Sequence, residues 1–556
     1  MQYVFFILVT VLGLVIWSIM NERMLIKRLK IQLKEEWATP PQQEYTAEKF
    51  ESLQSFYHSV QNKDMDIDNI TWNDLDMDDI FMLMNNTQSA IGEEYLYALL
   101  RKPCFSKEEL EERNRLMNYF KEHEKDRILL QSRLYQIGKL SNISIYQYIN
   151  RLDDTETKSN VPHYLMAFGL IASIGTIFVH PPLGGILTVL FVVNNIYRYY
   201  MRKAKIEKYF TVFSYILRLL DGSKVISELK LAELEQYTRT LKEDINSFKS
   251  FKKGATLLTP KNVSGDPAGA VLDYFRMLFH FDLIKFNTML QFVKDNKDTL
   301  NRIYLTVGLL DSMMACASFR DMMGYYCEPN LSRSGKPFLE VEDLFHPLID
   351  APVVNSISEK QSVLITGSNA SGKSTFIKTL AINAVLAQTI YTSLSKRYRA
   401  SYFMIYSSMA LRDNLFGNES YYIVEIKSLK RIMDQVNSNV PILCFIDEVL
   451  RGTNTLERIA ASSRILSSLA KDNTMVFAAT HDIELTHILE DYYSNYHFQE
   501  RILNNQIKFD YKLYKGRAIS KNAIKLLGLL GYSKEIIDTA EKAAEEFLIT
   551  GEWKKI

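Results

Sequence analysis

At 556 residues, with 66 basic against 65 acidic side chains and 47% hydrophobic residues, the chain exceeds what one core can hold and carries no global charge signature of nucleic-acid binding. Its four cysteines, Cys104, Cys316, Cys327 and Cys444, are scattered, which excludes a disulfide framework or a sequence-local zinc site and fits a reduced setting for most of the chain.

The first element is "YVFFILVTVLGLVIWSIM", an uncharged run over Tyr3–Met20 that predicts a transmembrane anchor within residues 1–22. Arg23, Lys27, Arg28, Lys30 and Lys34 follow it, so the positive-inside rule puts the N-terminus outside and the remainder on the cytoplasmic side of the cell inner membrane. A cleaved signal peptide is the alternative, but the run lacks a basic n-region and a small-residue cleavage site. Residues 40–160 are rich in Leu, Lys and Glu at helical spacing and predict a helical segment. Over 163–200 a second apolar block, broken by His180-Pro181-Pro182 and Gly184-Gly185, predicts a transmembrane hairpin with arms close to spanning length. Arg198, Arg202, Lys203, Lys205 and Lys208 follow on the expected inner side, and a pair of buried soluble helices is the competing reading. Residues 201–330 again read as helical, with a loop at "LLTPKNVSGDPAGA"; there Lys249, Lys252 and Lys253 form a small cluster suited to phosphates or to a solvated helix face. From about Phe338 short apolar strands alternate with helices, as in a parallel-sheet nucleotide-binding domain, here assigned to 338–515.

Within that domain "LITGSNASGKSTFIKTL" satisfies G-x-x-x-x-G-K-[ST] through Gly367, Gly372, Lys373 and Ser374, between an apolar run and a helical one. The loop Gly367, Ser368, Asn369, Ala370, Ser371, Gly372, Lys373, Ser374 and Thr375 is expected to cradle the phosphates of ATP, with Lys373 on the β- and γ-phosphates and Ser374 on Mg2+. Downstream, "VPILCFIDEVLRGTNT" ends a strand in Asp447-Glu448: Asp447 is placed to hold magnesium and Glu448 to activate water. Alone that pair reads as a solvated strand end; beside the phosphate loop it completes a hydrolytic site. A further strand, "TMVFAAT", leads to His481, positioned to sense the γ-phosphate.

In order and spacing, "TGSNASGKST", "FIDEVLRGTNT" and "ATHDIELT" resemble the ATPase motifs of the MutS family of DNA mismatch-repair proteins. That resemblance implies an α/β P-loop ATPase domain preceded by a mostly α-helical core and lever domain, to which this chain adds the N-terminal helix and the central hairpin. It extends to "LFHPLIDAPVVNSI", where Asn355 is implied at the nucleotide, although Pro352 stands where an adenine-packing aromatic is often found. "DNLFGNESYYIVEI" is similar to the segment through which one subunit reaches its partner's ATP, implying a homodimer with sites completed in trans by Ser420, with Glu425 on the helix behind; Asn418 and Glu419 depart from the family pattern there. The helical stretch carrying Thr87, Gly92, Leu96, Pro103, Leu110 and Arg113 is similar to the family's core, and residues 516–556 to its C-terminal dimerisation tail. No base-reading domain is expected before the core, nor a nuclease domain after the tail.

Two functions follow. The resemblance implies a membrane-anchored dimeric ATPase that binds mismatched, branched or structured DNA; the hairpin's placement implies a mechanochemical membrane ATPase without a nucleic-acid role. An ABC-type transporter is disfavoured by the lack of an LSGGQ-like signature and by only about three expected spans with few intramembrane polar residues, and a non-enzymatic binding module by the intact Lys373, Ser374, Asp447 and Glu448.

Overall fold

The computed structural model describes residues 17, 20–21, 23–140, 143–151, 159–249, 251, 274–275, 277–333, 335–368, 371–409, 421–436, 439–451, 453–503, 506–518, 524, 527 and 531–555. Nearly all of the expected anchor, and Lys252, Lys253, Asn369, Ala370 and Ser420, lie outside the described residues. The chain folds as two compact units, one drawn from residues 1–61, 83–98 and 115–322, the other from 62–82, 99–114 and 323–556. Two pieces of the 40–160 stretch, and residues 323–330 of the 201–330 stretch, therefore belong with the nucleotide domain.

The first unit is helical. Its helix Ala90–Arg101 is started by a carboxylate from far along the chain, because Asp311 accepts hydrogen bonds from the Gln88 and Ser89 amides and the Ser89 hydroxyl. Gly92 is required there, since a Cβ would lie 2.2 Å from Asp311 Oδ2. Helices Val161–Val179 and Pro181–Ser227 form the hairpin, and the first ends at His180 because a residue before proline is driven from helical geometry. The second runs unbroken for 47 residues, about 70 Å, from the apolar arm to a stretch where Phe213, Tyr215, Ile216 and Leu220 are fully buried. Among the described residues one helix, Val161–Val179, is long and apolar enough to cross a membrane, and only 17% of its apolar window is buried.

The second unit holds two sheets. β1 (Asn330–Ser332), β2 (Leu339–Leu344), β3 (Asn355–Glu359) and β5 (Arg397–Ser401) form one in the order β1-β5-β2-β3. β4 (Ser362–Thr366), β6 (Met404–Ser408), β7 (Ile442–Asp447), β8 (Thr474–Thr480), β9 (Tyr493–Leu503) and β10 (Gln506–Lys515) form the other, in the order β10-β9-β4-β8-β7-β6. All its neighbours are parallel except β10 on β9. β4, β7 and β8 are buried along their whole length, as a sheet covered on both faces requires. The exposed edge at β6 is closed by residues 62–82: Thr71 Oγ1 accepts the Ser407 amide, and Asp74 Oδ2 accepts the Ser407 hydroxyl at 2.6 Å and the Met409 amide at 2.9 Å. This capping is why that helical piece belongs to the nucleotide domain.

Candidate nucleotide site

The carboxyl ends of β4, β7 and β8 lie side by side, so the segments that follow them, read separately in the sequence, converge at one place. After β4 the chain turns through Gly367 at φ +149° and Gly372 at φ +105°, and helix Lys373–Thr389 begins immediately. Neither glycine admits a side chain, because a Cβ on Gly367 would lie 2.7 Å from the Phe498 carbonyl oxygen and Gly372 sits in left-handed geometry under Tyr511. Lys373 is folded over the loop, its Nζ donating to the Gly367 and Ser368 carbonyls at 2.8 and 2.9 Å. Burial pushes its ammonium down to about 8, against the pull of Asp447 and Glu448.

β7 delivers Asp447 and then Glu448, whose φ of +57° turns the second carboxylate back toward β8. The Glu448 amide donates to the Ala479 carbonyl at 2.9 Å. Its Oε1 accepts from His481 Nε2 at 2.7 Å and its Oε2 pairs with Arg451 Nε at 2.5 Å. The His481 hydrogen bond, with the charges of Arg451, His481 and Lys373, holds the Glu448 carboxyl below its ordinary value, so it stands ionised at neutral pH. His481 Nε2 is also 3.5 Å from Lys373 Nζ, so Lys373, Glu448 and His481 lie together.

The residues present fit a magnesium nucleotide. Asp447 Oδ1 and Ser371 Oγ are buried and make no hydrogen bond among the described residues, a costly state that a cation and a phosphate would relieve. The Ser374 side chain is exposed at the first turn of the helix, whose N-terminus favours anions.

Several contacts at the site were not legible in the sequence. Glu425 is buried, and its Oε1 accepts the Leu450 amide, which fixes the turn after the carboxylates, where Leu450 has φ +61°. Arg458 grips Asp482 at 2.6 and 2.9 Å and so anchors the residue next to His481. Ser368 donates to Glu500 Oε2 at 2.7 Å, tying the loop to β9. Asn355, expected at the nucleotide, spends its amide on β10: Nδ2 donates to the Tyr511 carbonyl at 2.9 Å and Oδ1 accepts the Leu513 amide at 2.8 Å. It thereby supports a register shift between Phe509 and Leu513, where Tyr511, at φ +53°, lays its ring beside Gly372. Asn369, Ala370 and Ser420 lie outside the described residues, and Thr375 is exposed in the first helical turn.

A strand, a phosphate loop on a helix N-terminus, and an acidic pair at the end of a strand one removed in the same parallel sheet define a P-loop nucleotide-binding domain. Sequence comparison places it more narrowly: residues 363–548 match the family described as MutS domain V. The chain is 26% identical over 312 residues to the DNA mismatch repair protein MSH3 of Debaryomyces hansenii, covering 50% of this chain and 30% of that protein. It is 28% identical over 271 residues to the DNA mismatch repair protein MutS of Thermotoga maritima, covering 47% of this chain and 33% of that one. With MutS protein homolog 4 of Mus musculus it shares 29% identity over 266 residues, 44% of this chain and 27% of the homolog. The chain thus spans about a third of the length of the curated relatives it matches.

Proposed function

We propose that the chain is a MutS-family ATPase, held at the cell inner membrane with its N-terminus outside and its nucleotide domain in the cytoplasm, that hydrolyses ATP as a homodimer and binds mismatched, branched or structured DNA in an ATP-dependent way. The observation that carries the enzymatic part is the meeting of Lys373, Glu448 and His481 beside an unpaired Asp447 oxygen. When bound, Mg2+ would offset the charge of the β- and γ-phosphates, with Ser374 and Asp447 as its protein ligands. Lys373 exchanges the loop carbonyls for phosphate oxygens. Glu448 orients the attacking water and takes its proton on a lone pair that Arg451 and His481 leave free, and His481 faces the γ-phosphate. Ser420 completes the partner's site in trans. The DNA part rests on the similarity to mismatch-repair proteins.

A second reading, a membrane ATPase whose lever motion acts on lipid or a protein partner without DNA, is favoured by one feature: helix Pro181–Ser227 is continuous from an exposed apolar arm into the buried interior of its unit. The two are separated by steady-state hydrolysis of the detergent-purified full-length chain with duplex, mismatched and branched DNA at low and near-physiological salt. Stimulation by one DNA that survives the higher salt supports the first; hydrolysis indifferent to every DNA but altered by lipid reconstitution overturns it in favour of the second.

A further inference from the structure

The hairpin is built inside out. Leu165, Phe168, Ile171, Phe178, Val189 and Val193 are exposed, whereas its hydroxyl groups are turned inward. Ser173 is buried at the seam and donates to the Leu170 carbonyl at 2.8 Å, and Thr188 crosses from the other arm to donate to Ser173 Oγ at 3.2 Å. Small and hydroxyl residues at the seam with large apolar residues outside is the pattern of helices packed in lipid.

Its tip is equally unsuited to water. The turn is the single residue His180, flanked by Phe178 and Val179 at 87% and 86% exposure. A helix start ordinarily leaves its first N–H groups without intrahelical partners; here Pro181 and Pro182 have none to leave, and the regular ladder begins at Gly184, whose amide donates to the His180 carbonyl at 2.9 Å. The His180 amide in turn donates to the Thr176 carbonyl at 2.8 Å. Gly184 lets the arms touch, since a Cβ there would lie 2.4 Å from the Ile177 nitrogen.

Length and anchors decide the depth. The first arm's 19 residues reach about 28 Å, but the returning arm, although uncharged over Pro181–Tyr197, is predominantly apolar only over Leu183–Val193 before Asn194 and Asn195, about 16 Å against a hydrocarbon core of about 30 Å. Exposed Tyr164, Tyr197 and Tyr200 with Arg198 mark an interface at the base, while the sequence holds no Trp, Tyr, Lys or Arg between Leu165 and Ile196 to mark a second.

We propose that this hairpin is re-entrant: it enters a lipid bilayer from the side of Arg198, lodges the His180 turn among the acyl chains and returns to the same side. The proposal rests on the membrane reading above, and its test separates the two. Full-length His180→Cys, and independently Phe178→Cys, would carry a nitrobenzoxadiazole fluorophore in phosphatidylcholine–phosphatidylglycerol vesicles, with wild type as background for the native cysteines and Tyr197→Cys as interfacial reference. Flotation with the vesicles is required first; failure to float overturns the membrane reading and this proposal with it. Given flotation, mid-chain nitroxide lipids should quench the tip at least about twofold more than iodide equilibrated on both sides, the order reversing at position 197. Efficient iodide quenching at position 180 or 178 would place the tip in water beyond the bilayer and overturn re-entry while leaving membrane attachment intact.

Discussion

In the proposed mechanism Glu448 is the residue on which hydrolysis turns. Both its oxygens are engaged, by His481 at 2.7 Å and Arg451 at 2.5 Å, and each keeps a further lone pair with which the ionised carboxylate can accept a proton. Glu448→Gln should keep ATP affinity, measured with a fluorescent analogue, while turnover falls by about 100-fold or more; unchanged turnover would remove it from the role of base. Lys373 sets a pH limit. Its pKa lies near 8 and would return toward the ordinary lysine value on meeting phosphate, so the bound state holds more protons between those two values. Affinity for ATP should therefore be flat below pH 8 and fall above it, by up to about tenfold per unit, in titrations at constant ionic strength. A flat profile to pH 9.5 would contradict that buried setting.

Two elements owe their places to single side chains. Asp74 is buried and satisfies the Ser407 hydroxyl and Met409 amide at the free edge of β6. Asp74→Ala would strand both groups, so a loss of about 2–4 kcal/mol is expected in denaturant unfolding of the full chain, with Asp74→Asn milder because it keeps an acceptor. Asn355 holds the β10 irregularity that carries Tyr511. With its amide removed, Asn355→Ala should weaken ATP binding by about fivefold to tenfold with little effect on turnover at saturation, because it positions an aromatic ring beside the loop and not a reacting group. A fall in kcat with unchanged affinity would assign it elsewhere. Local spacing made β4, its loop and the Asp447-Glu448 strand end legible in advance, since each pattern is contiguous. Arg458 and Tyr511 were not legible, and resemblance gave Glu425 only as a residue of a helix, not its hold on the Leu450 turn: all three reach the site from separate segments, and nothing in a buried glutamate or an edge tyrosine announces its target.

For the assembled protein the decisive question is whether two chains share their sites. A Ser420→Arg variant mixed with a Lys373→Ala variant should recover hydrolysis, up to about a quarter of the wild-type rate if subunits mix at random and one intact site suffices. Each variant alone should be inactive, and no recovery after proven subunit exchange would count against trans completion. The two compact units interleave in sequence, since residues 62–82 and 99–114 leave the helical stretch to join the sheet domain. No periodicity could reveal that, because the helices concerned are ordinary amphipathic helices and differ only in what they cover.

By itself the sequence determined the class of chemistry: a glycine-bounded phosphate loop, a lysine and hydroxyl beside it, and a carboxylate pair at a strand end are local patterns whose physics needs no partner to be read. It also determined that residues 163–200 are apolar. Only tertiary structure decided that His481 caps Glu448, that Asp74 seals β6, and that the hairpin turns its hydroxyls inward and its large side chains outward. Composition counts side chains; the pairing of two helices or three strands sets which of them face one another and which face the surroundings, and that choice separates a buried core from a surface suited to lipid.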